Sequence, residues 1–337
     1  IPHIMDLDDY WLPTSDHPAY MMIKQSNLHK HIMDNLKLAG HVTTTTPDFV
    51  TEIKKFNDNV SIYPNGIDHE EKQYIPKPTI SDKVRVGWLG GSSHIKDLQI
   101  LKGLMSSLKS EGLLDKIQFV LCGYDLRGMM TMIDQKTGEQ KQRPIKPKES
   151  VWYEYERIFT DDYKLVSEDY KNFLLSFENK EYDGVENEPY RRVWTKPITT
   201  YASNYNLFDI SLAPLKESMF NKVKSQLKVI EAGFHKKAII AQDFGSYQID
   251  IKNVYNKGGE IDETGNGFLV PTVKNHKFWF KHLKTLINNP ELITKLGENL
   301  YDTVNGTYDM KSVCTERRNL YKKLIDEKKL VGVDILK

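Results

Sequence analysis

Short apolar runs alternate with helix-like stretches over most of this chain, and that alternation limits its fold more than any single motif does. Such a pattern indicates an α/β protein, in which a largely parallel sheet is wrapped by crossover helices. The clearest series starts at Val84, with a strand over 84–89, a helix over 97–110, a strand over 117–122, and later strands near 207–215, 237–241 and 265–270. The helical stretches NKVKSQLKVIEAGF and HKFWFKHLKTLIN lie among or after these strands, and the chain reads as helical from about Pro290 to Glu327. Upstream, IPHIMDLDD leads through the helical stretch AYMMIKQSNLHKHIMDNLKLAG to the strand HVTTTT, the helix PDFVTEIKKF and the strand NVSIYP, which ends in NGID. The next stretch, DHEEKQYIPKPTISDK, is charged, carries two prolines and lacks apolar periodicity, so it reads as a linker. The expected organisation is a partial N-terminal unit over 1–68, a linker over 69–83, a second unit over 84–310, and a helix and tail over 311–337. Between about 123 and 190 the alternation gives way to charged and aromatic sequence, helical at 149–159 and 167–177. Its apolar content is too thin for an independent core, which predicts a solvated insertion.

Composition narrows the function classes. The 337 residues are 39% hydrophobic and 28% charged, enough for two domains with real cores. With 47 basic against 46 acidic side chains, the global field gives no reason to bind nucleic acid, although a local lysine cluster remains compatible with neutrality. The two cysteines, Cys122 and Cys314, have no partner at metal-ligand spacing and suit a reducing compartment. No apolar run approaches the roughly 20 residues of a membrane-spanning helix, and the opening residues have no signal-peptide core, so a cytoplasmic location is expected.

Within VRVGWLGGSSHIKDLQILKGLM, a buried strand breaks at Gly90-Gly91 and resumes as a helix. Such a turn points unpaired backbone N–H groups at its occupant, and the helix dipole favours an anion there. Gly90 and Gly91 therefore read as a phosphate seat, with Ser92 and Ser93 as hydroxyl donors and His94 projecting over the mouth of the sheet. A histidine there can donate to an oxygen gaining charge, which is the favoured role, or accept a proton from a hydroxyl. The alternative is a packed or surface histidine. Gly87 and Trp88 belong to the strand, where close packing explains them.

A second stretch, APLKESMFNKVKSQLKVIEAGFHKKAII, opens a helix near Asn221 with Lys222, Lys224 and Ser225 in its first turns. Cations at a helix N-terminus oppose the macrodipole unless an anion joins them. Glu231 stands seven residues after Lys224, which on one helix lets a single ligand meet a cation at its phosphate and a carboxylate at its hydroxyls. Solvated charges, with Lys228 and Glu231 pairing at i, i+3, are the alternative.

These residues together resemble a family. NGID before a linker, GWLGGSSHIKDL on the first strand of the second unit, LAPLKESMFNKVKSQLKVIEAGFHKKAIIA and the later GNGFLV are similar to the GT-B glycosyltransferases of the bacterial group 1 (GT4-like) family. The resemblance covers most of the chain outside 123–190. It implies two Rossmann-like domains facing a cleft, the N-terminal one incomplete because the chain begins midway through it, with a nucleotide-sugar held mainly by the C-terminal one. Carried over, Gly90 and Gly91 lie against the donor diphosphate, Lys224 neutralises it, and Glu231 accepts from the ribose hydroxyls. Asn221 and Glu217 sit near the donor sugar. The family's pair of glutamates eight positions apart is missing, since Val223 stands eight before Glu231; Glu217 is the nearest acidic substitute.

The implied activity is retaining transfer of a sugar from a UDP- or GDP-linked donor to a saccharide or lipid-linked glycan acceptor, with peripheral association at the inner face of the membrane. The leaving diphosphate assists deprotonation of the acceptor. No cofactor is implied, the nucleotide-sugar being a substrate. Asp6, Asp8 and Asp9 allow a D-x-D metal reading. The resemblance implies instead a metal-independent site, and such residues also arise in turns and caps. Facing the cleft, Asp8 or Asp9 would touch acceptor hydroxyls, with His17 a further acceptor-side candidate. A non-catalytic nucleotide- or glycan-binding module and a nucleotide-sugar epimerase on the same architecture are the rival readings.

Overall fold

A computed structural model describes residues 3–334 except 134–138, 177, 257 and 273–275; the last three residues of the expected tail lie outside the described residues. The strands in chain order are β1 (Ile4–Asp6), β2 (His41–Thr44), β3 (Val60–Ile62), β4 (Val84–Leu89), β5 (Ile117–Tyr124), β6 (Met129–Ile133), β7 (Gln140–Pro144), β8 (Tyr190–Trp194), β9 (Ile210–Ala213), β10 (Ala238–Gln242) and β11 (Phe268–Val270). β1, β2 and β3 form a three-stranded sheet in that order, parallel throughout. A six-stranded sheet follows the order β11-β10-β9-β4-β5-β8, again parallel throughout. The chain leaves β4 toward β5 on one side and later returns to place β9 on the other, so the strand order reverses between β4 and β9. Ligands of open α/β sheets bind outside the carboxyl ends of the strands at such a switch point.

The helices are α1 (Tyr20–Gln25), α2 (Leu28–Leu38), α3 (Pro47–Ile53), α4 (Ile95–Leu98), α5 (Leu104–Ser110), α6 (Val151–Thr160), α7 (Glu168–Leu174), α8 (Met219–Lys222), α9 (Leu227–Phe234), α10 (Lys277–Asn288), α11 (Pro290–Val304) and α12 (Met310–Asp334). Several expected helices are broken, each for a local reason. The helix expected over 97–110 divides around Gly103, whose φ of 89° is left-handed and where a Cβ would stand 2.9 Å from the His276 ring. The helix expected from Asn221 stops after α8 and restarts at Leu227. Between them Val223 is fully buried in the N-terminal core, and its carbonyl accepts from Thr46 Oγ1 at 3.0 Å. Burying this side chain in the other unit diverts the chain out of the helix. The expected continuous C-terminal helix parts at Gly306, where φ is 87°, and Ile67 bridges to Asp309 there.

The stretch from 123 to 190 is not a solvated insertion as a whole. Trp152, Tyr155, Ile158 and Phe159 on α6 and Tyr170 and Leu174 on α7 are buried in the main core, with the Phe119 and Phe159 rings stacked at 3.7 Å. Burying a large apolar side chain contributes roughly 1.5–3 kcal/mol, so this segment is the crossover connection from β5 to β8. A buried ion pair, Arg192 Nε to Glu156 Oε1 at 2.7 Å, fastens α6 to β8. What projects is the antiparallel β6–β7 hairpin.

Cleft at the carboxyl ends of the large sheet

The glycine turn after β4 is held from three sides. Gly90 donates its N–H to the Cys122 carbonyl at 3.3 Å, and a Cβ on Gly90 would stand 2.5 Å from the Trp88 ring. Gly123, with φ 109°, packs so tightly on the Gly90 carbonyl that no Cβ fits between them. A Cβ on Gly91 would meet nothing within 4 Å, so that face of the turn is open to a ligand. Tyr155 on α6 pins the turn, accepting the His94 N–H at 2.8 Å and donating to the Gly91 carbonyl at 3.2 Å. Nothing in the sequence marks that tyrosine for the role.

His94 precedes α4, and its Nδ1 lies 2.7 Å from Asp97 Oδ2. Asp97 also accepts the Lys216 N–H at 2.7 Å and Asn221 Nδ2 at 3.2 Å on its other oxygen. A carboxylate so engaged accepts a hydrogen bond from Nδ1–H, which leaves Nε2 as the nitrogen His94 presents to the cleft it lines. Burial, helped by Lys228 and Lys224, lowers the pKa of His94 against the opposing pull of Asp97, favouring the neutral ring. The neutral ring accepts at Nε2. Of the two roles read from the sequence, that tautomer suits acceptance from a hydroxyl.

The facing wall comes from the loop between α8 and α9 and from α9 itself. Lys224 and Ser225 lie in that loop, so the spacing from Lys224 to Glu231 is not two turns of one helix, although both residues line the same cleft. Lys224 Nζ stands 4.7 Å from the Phe220 ring centroid, and burial lowers its pKa. Lys228, which the sequence left as a solvated helix charge, lines the cleft, donates to the Leu89 carbonyl and sits 5.0 Å over the Trp88 ring. Burial brings its pKa down to about 8. Among the described residues neither lysine forms a salt bridge. Glu231 is 4% exposed, and Tyr201 and Tyr205 both donate their hydroxyls to it, the latter at 3.1 Å. Burial raises its pKa, opposed by these hydroxyls and by Lys228.

Together these residues line a cavity of about 680 Å³ at the switch point, which Gly90, Gly91, Ser92, His94, Lys224, Ser225, Lys228 and Glu231 share with Asp8 and Asp9 from the loop after β1. The pKa of Asp9 is raised by desolvation and by Asp8, with Lys224 and His17 opposing. Asn65 Nδ2 donates to Ser225 Oγ at 2.9 Å across the cleft. Asn221 lines an adjoining small recess with His17, whose ring lies 5.2 Å from Phe220. Glu217 is exposed on the loop before α8 and lines neither space. Asp6 faces away, 3.1 Å from Arg317 on α12, and among the described residues no group of three or more His, Cys, Asp or Glu is placed to hold a metal. Asp97 holds His94, and Tyr201 and Tyr205 hold Glu231, Tyr201 also lining the cleft; neither tyrosine carries a local sequence signal.

No family profile and no curated protein matches the sequence. Solved structures do. Sucrose-phosphate synthase from Thermosynechococcus elongatus superposes with a TM-score of 0.58 at 14% identity, over 96% of this chain and 68% of that one. Anabaena HepE, solved with UDP and glucose, gives 0.58 at 15% identity, over 96% of this chain and 71% of that one. The chain spans half the length of S. aureus TarM, which matches at 0.57 and 15% identity over 94% of this chain. The chain has the GT-B glycosyltransferase fold. In GT-B terms the six-stranded sheet is the C-terminal domain, and the cavity is the cleft between it and the N-terminal unit. Among the described residues no helix is long and apolar enough to cross a membrane.

Proposed function

We propose that this protein is a glycosyltransferase that moves a sugar, with retention, from a UDP- or GDP-linked donor to a saccharide or lipid-linked glycan. The observation that carries the reading is the joint placement, in one cleft at the switch point, of two lysines that form no salt bridge among the described residues and one buried carboxylate. The first pair suits a diphosphate and the second group suits ribose hydroxyls. HepE was solved with UDP and glucose, and TarM with UDP, fondaparinux and α-GlcNAc-glycerol, which supports nucleotide-sugar donors and saccharide acceptors for this fold.

In this reading the Gly90-Gly91 turn, Lys224 and Lys228 stabilise the diphosphate as it gains charge, without a metal ion or cofactor. His94 Nε2 accepts from a hydroxyl of the donor sugar and fixes its orientation. As the bond from the anomeric carbon to phosphate breaks, an acceptor hydroxyl approaches from the same face. Its oxygen bonds to the anomeric carbon and its proton passes to the leaving phosphate oxygen. Asp8 and Asp9 hold acceptor hydroxyls on the opposite wall, where a membrane-borne glycan would be presented. The position eight before Glu231 is Val223, buried in the other domain, so no carboxylate serves there.

Incubating the full chain with a panel of UDP- and GDP-sugars and saccharide acceptors, while following nucleoside diphosphate release and product anomeric configuration by NMR, tests the proposal. Release with retained configuration is expected, and His94→Ala should slow it roughly tenfold or more while leaving diphosphate affinity nearly unchanged. Saturable binding without any release would favour a non-catalytic binding module, and inverted product would overturn the retaining step.

A further inference from the structure

A second cavity, of about 470 Å³, opens at the other end of the large sheet, where Asp209 and Lys237 precede β9 and β10. Its remaining walls are the linker at Pro76–Thr79 and the first turns of α11 at Ile293 and Thr294. Two polar groups here lack their full set of partners. Lys237 is 5% exposed, and its ammonium donates only to the Lys77 carbonyl, at 3.3 Å, with no salt bridge among the described residues. The Thr79 hydroxyl oxygen is buried and has no hydrogen-bond partner. An ammonium carries three donors, so two remain for a ligand.

The cavity's acidic groups are already engaged. Lys236 pairs with Glu298 at 2.9 Å, and Asp209 accepts the Arg85 N–H at 2.8 Å. Burial lowers the Lys237 pKa and Asp209 opposes it. Lys77 adds a further charge at the exposed rim, while Pro76, Pro78 and Ile293 offer apolar surface.

We propose that this cavity is a second anion site, distinct from the cleft, which binds the phosphate group of a small phosphomonoester through Lys237, Lys77 and Thr79. A phosphate presents several acceptor oxygens to these donors, and the volume leaves room for a short carbon skeleton against the apolar wall.

Calorimetric titration of the full chain with inorganic phosphate and glycerol 3-phosphate tests the site, with Lys224→Ala present throughout to weaken phosphate binding in the cleft. Saturable binding is expected to persist in that background and to weaken roughly tenfold or more on adding Lys237→Met. Lys77→Ala, at an exposed position that spares the fold, should weaken it roughly threefold or more and stands in if Lys237→Met does not fold. Absence of binding in the Lys224→Ala background, or binding indifferent to both further substitutions, would overturn the site. Inorganic phosphate binding as tightly as glycerol 3-phosphate would overturn the assignment to a monoester. Because only binding is read, these outcomes are independent of whether the cleft transfers sugar.

Discussion

The two walls of the cleft are built differently. On the C-terminal wall the strands are buried along nearly their whole length, the glycine turn is pinned by Tyr155, and His94 and Glu231 are each held by neighbouring side chains. On the N-terminal wall β1 has only three residues, none of them buried, and Asp8 and Asp9 stand exposed beyond it. The walls are joined by the Thr46–Val223 and Asn65–Ser225 hydrogen bonds and by ion pairs at the surface, Lys216 with Asp16 at 3.0 Å and Lys222 with Asp48 at 3.5 Å. Surface pairs of this kind contribute about 0–1 kcal/mol each. If, as proposed, the first wall holds the donor and the second the acceptor, this is the arrangement expected where one substrate is fixed and the other must enter and leave.

Substitutions on the two walls should therefore have unequal effects. The largest is expected from Gly123→Ala, which forces a side chain into a left-handed conformation and against the Gly90 carbonyl. Strain and overpacking together should cost roughly 2–5 kcal/mol in urea-denaturation stability, and a loss under about 1 kcal/mol would show that the turn is not rigid. Lys224→Ala comes next. It should weaken nucleoside diphosphate binding roughly 10- to 100-fold, equivalent to losing a charge-assisted contact, with little effect on the nucleoside; equal losses for both would place Lys224 away from the phosphates.

Lys228 provides a titration test on the same wall. Its pKa in the free protein is about 8, below the usual 10.5, so above pH 8 it is increasingly neutral. A bound diphosphate favours the ammonium, so binding near pH 9 should take up a fraction of a proton, which calorimetry in buffers of different ionisation enthalpy measures. The same shift makes the unfolded chain hold more protons between about pH 8 and 10.5, so this lysine's contribution to stability rises with pH across that window. Proton-neutral binding at pH 9 would remove Lys228 from the phosphate site. The smallest effect is expected from Asp9→Asn on the other wall: a change in stability within about 0.5 kcal/mol, unchanged diphosphate affinity and a raised KM for the acceptor. A loss of diphosphate affinity there would erase the distinction between the walls.

The α/β class and the parallel order of the large sheet were legible because apolar strands and crossover helices alternate at lengths only that architecture accommodates. Gly90 and Gly91 stood out as a turn between strand and helix, Lys224 as a cation at an expected helix N-terminus, and Glu231 by its spacing of seven from Lys224. Other features depend on contacts made far along the chain. Val223 ends a helix because it is buried in the opposite domain, which no local pattern reveals. Tyr155 and Trp152 look like aromatic residues of a polar insertion until α6 is seen packed against β5. Lys228 reads as a solvated helix charge until its ammonium is found on the Leu89 carbonyl. Glu217 was attractive only as an acidic residue near a motif, and the loop before α8 turns it out to solvent.

If, as proposed, the cleft recognises a nucleotide chiefly through its diphosphate, calorimetry on the unaltered chain with UDP and GDP against uridine and guanosine shows it most directly. One nucleoside diphosphate should bind at least about tenfold more tightly than its own nucleoside, the worth of one or more charge-assisted contacts. Equal affinity for diphosphate and nucleoside, or no measurable binding of either diphosphate, would contradict it.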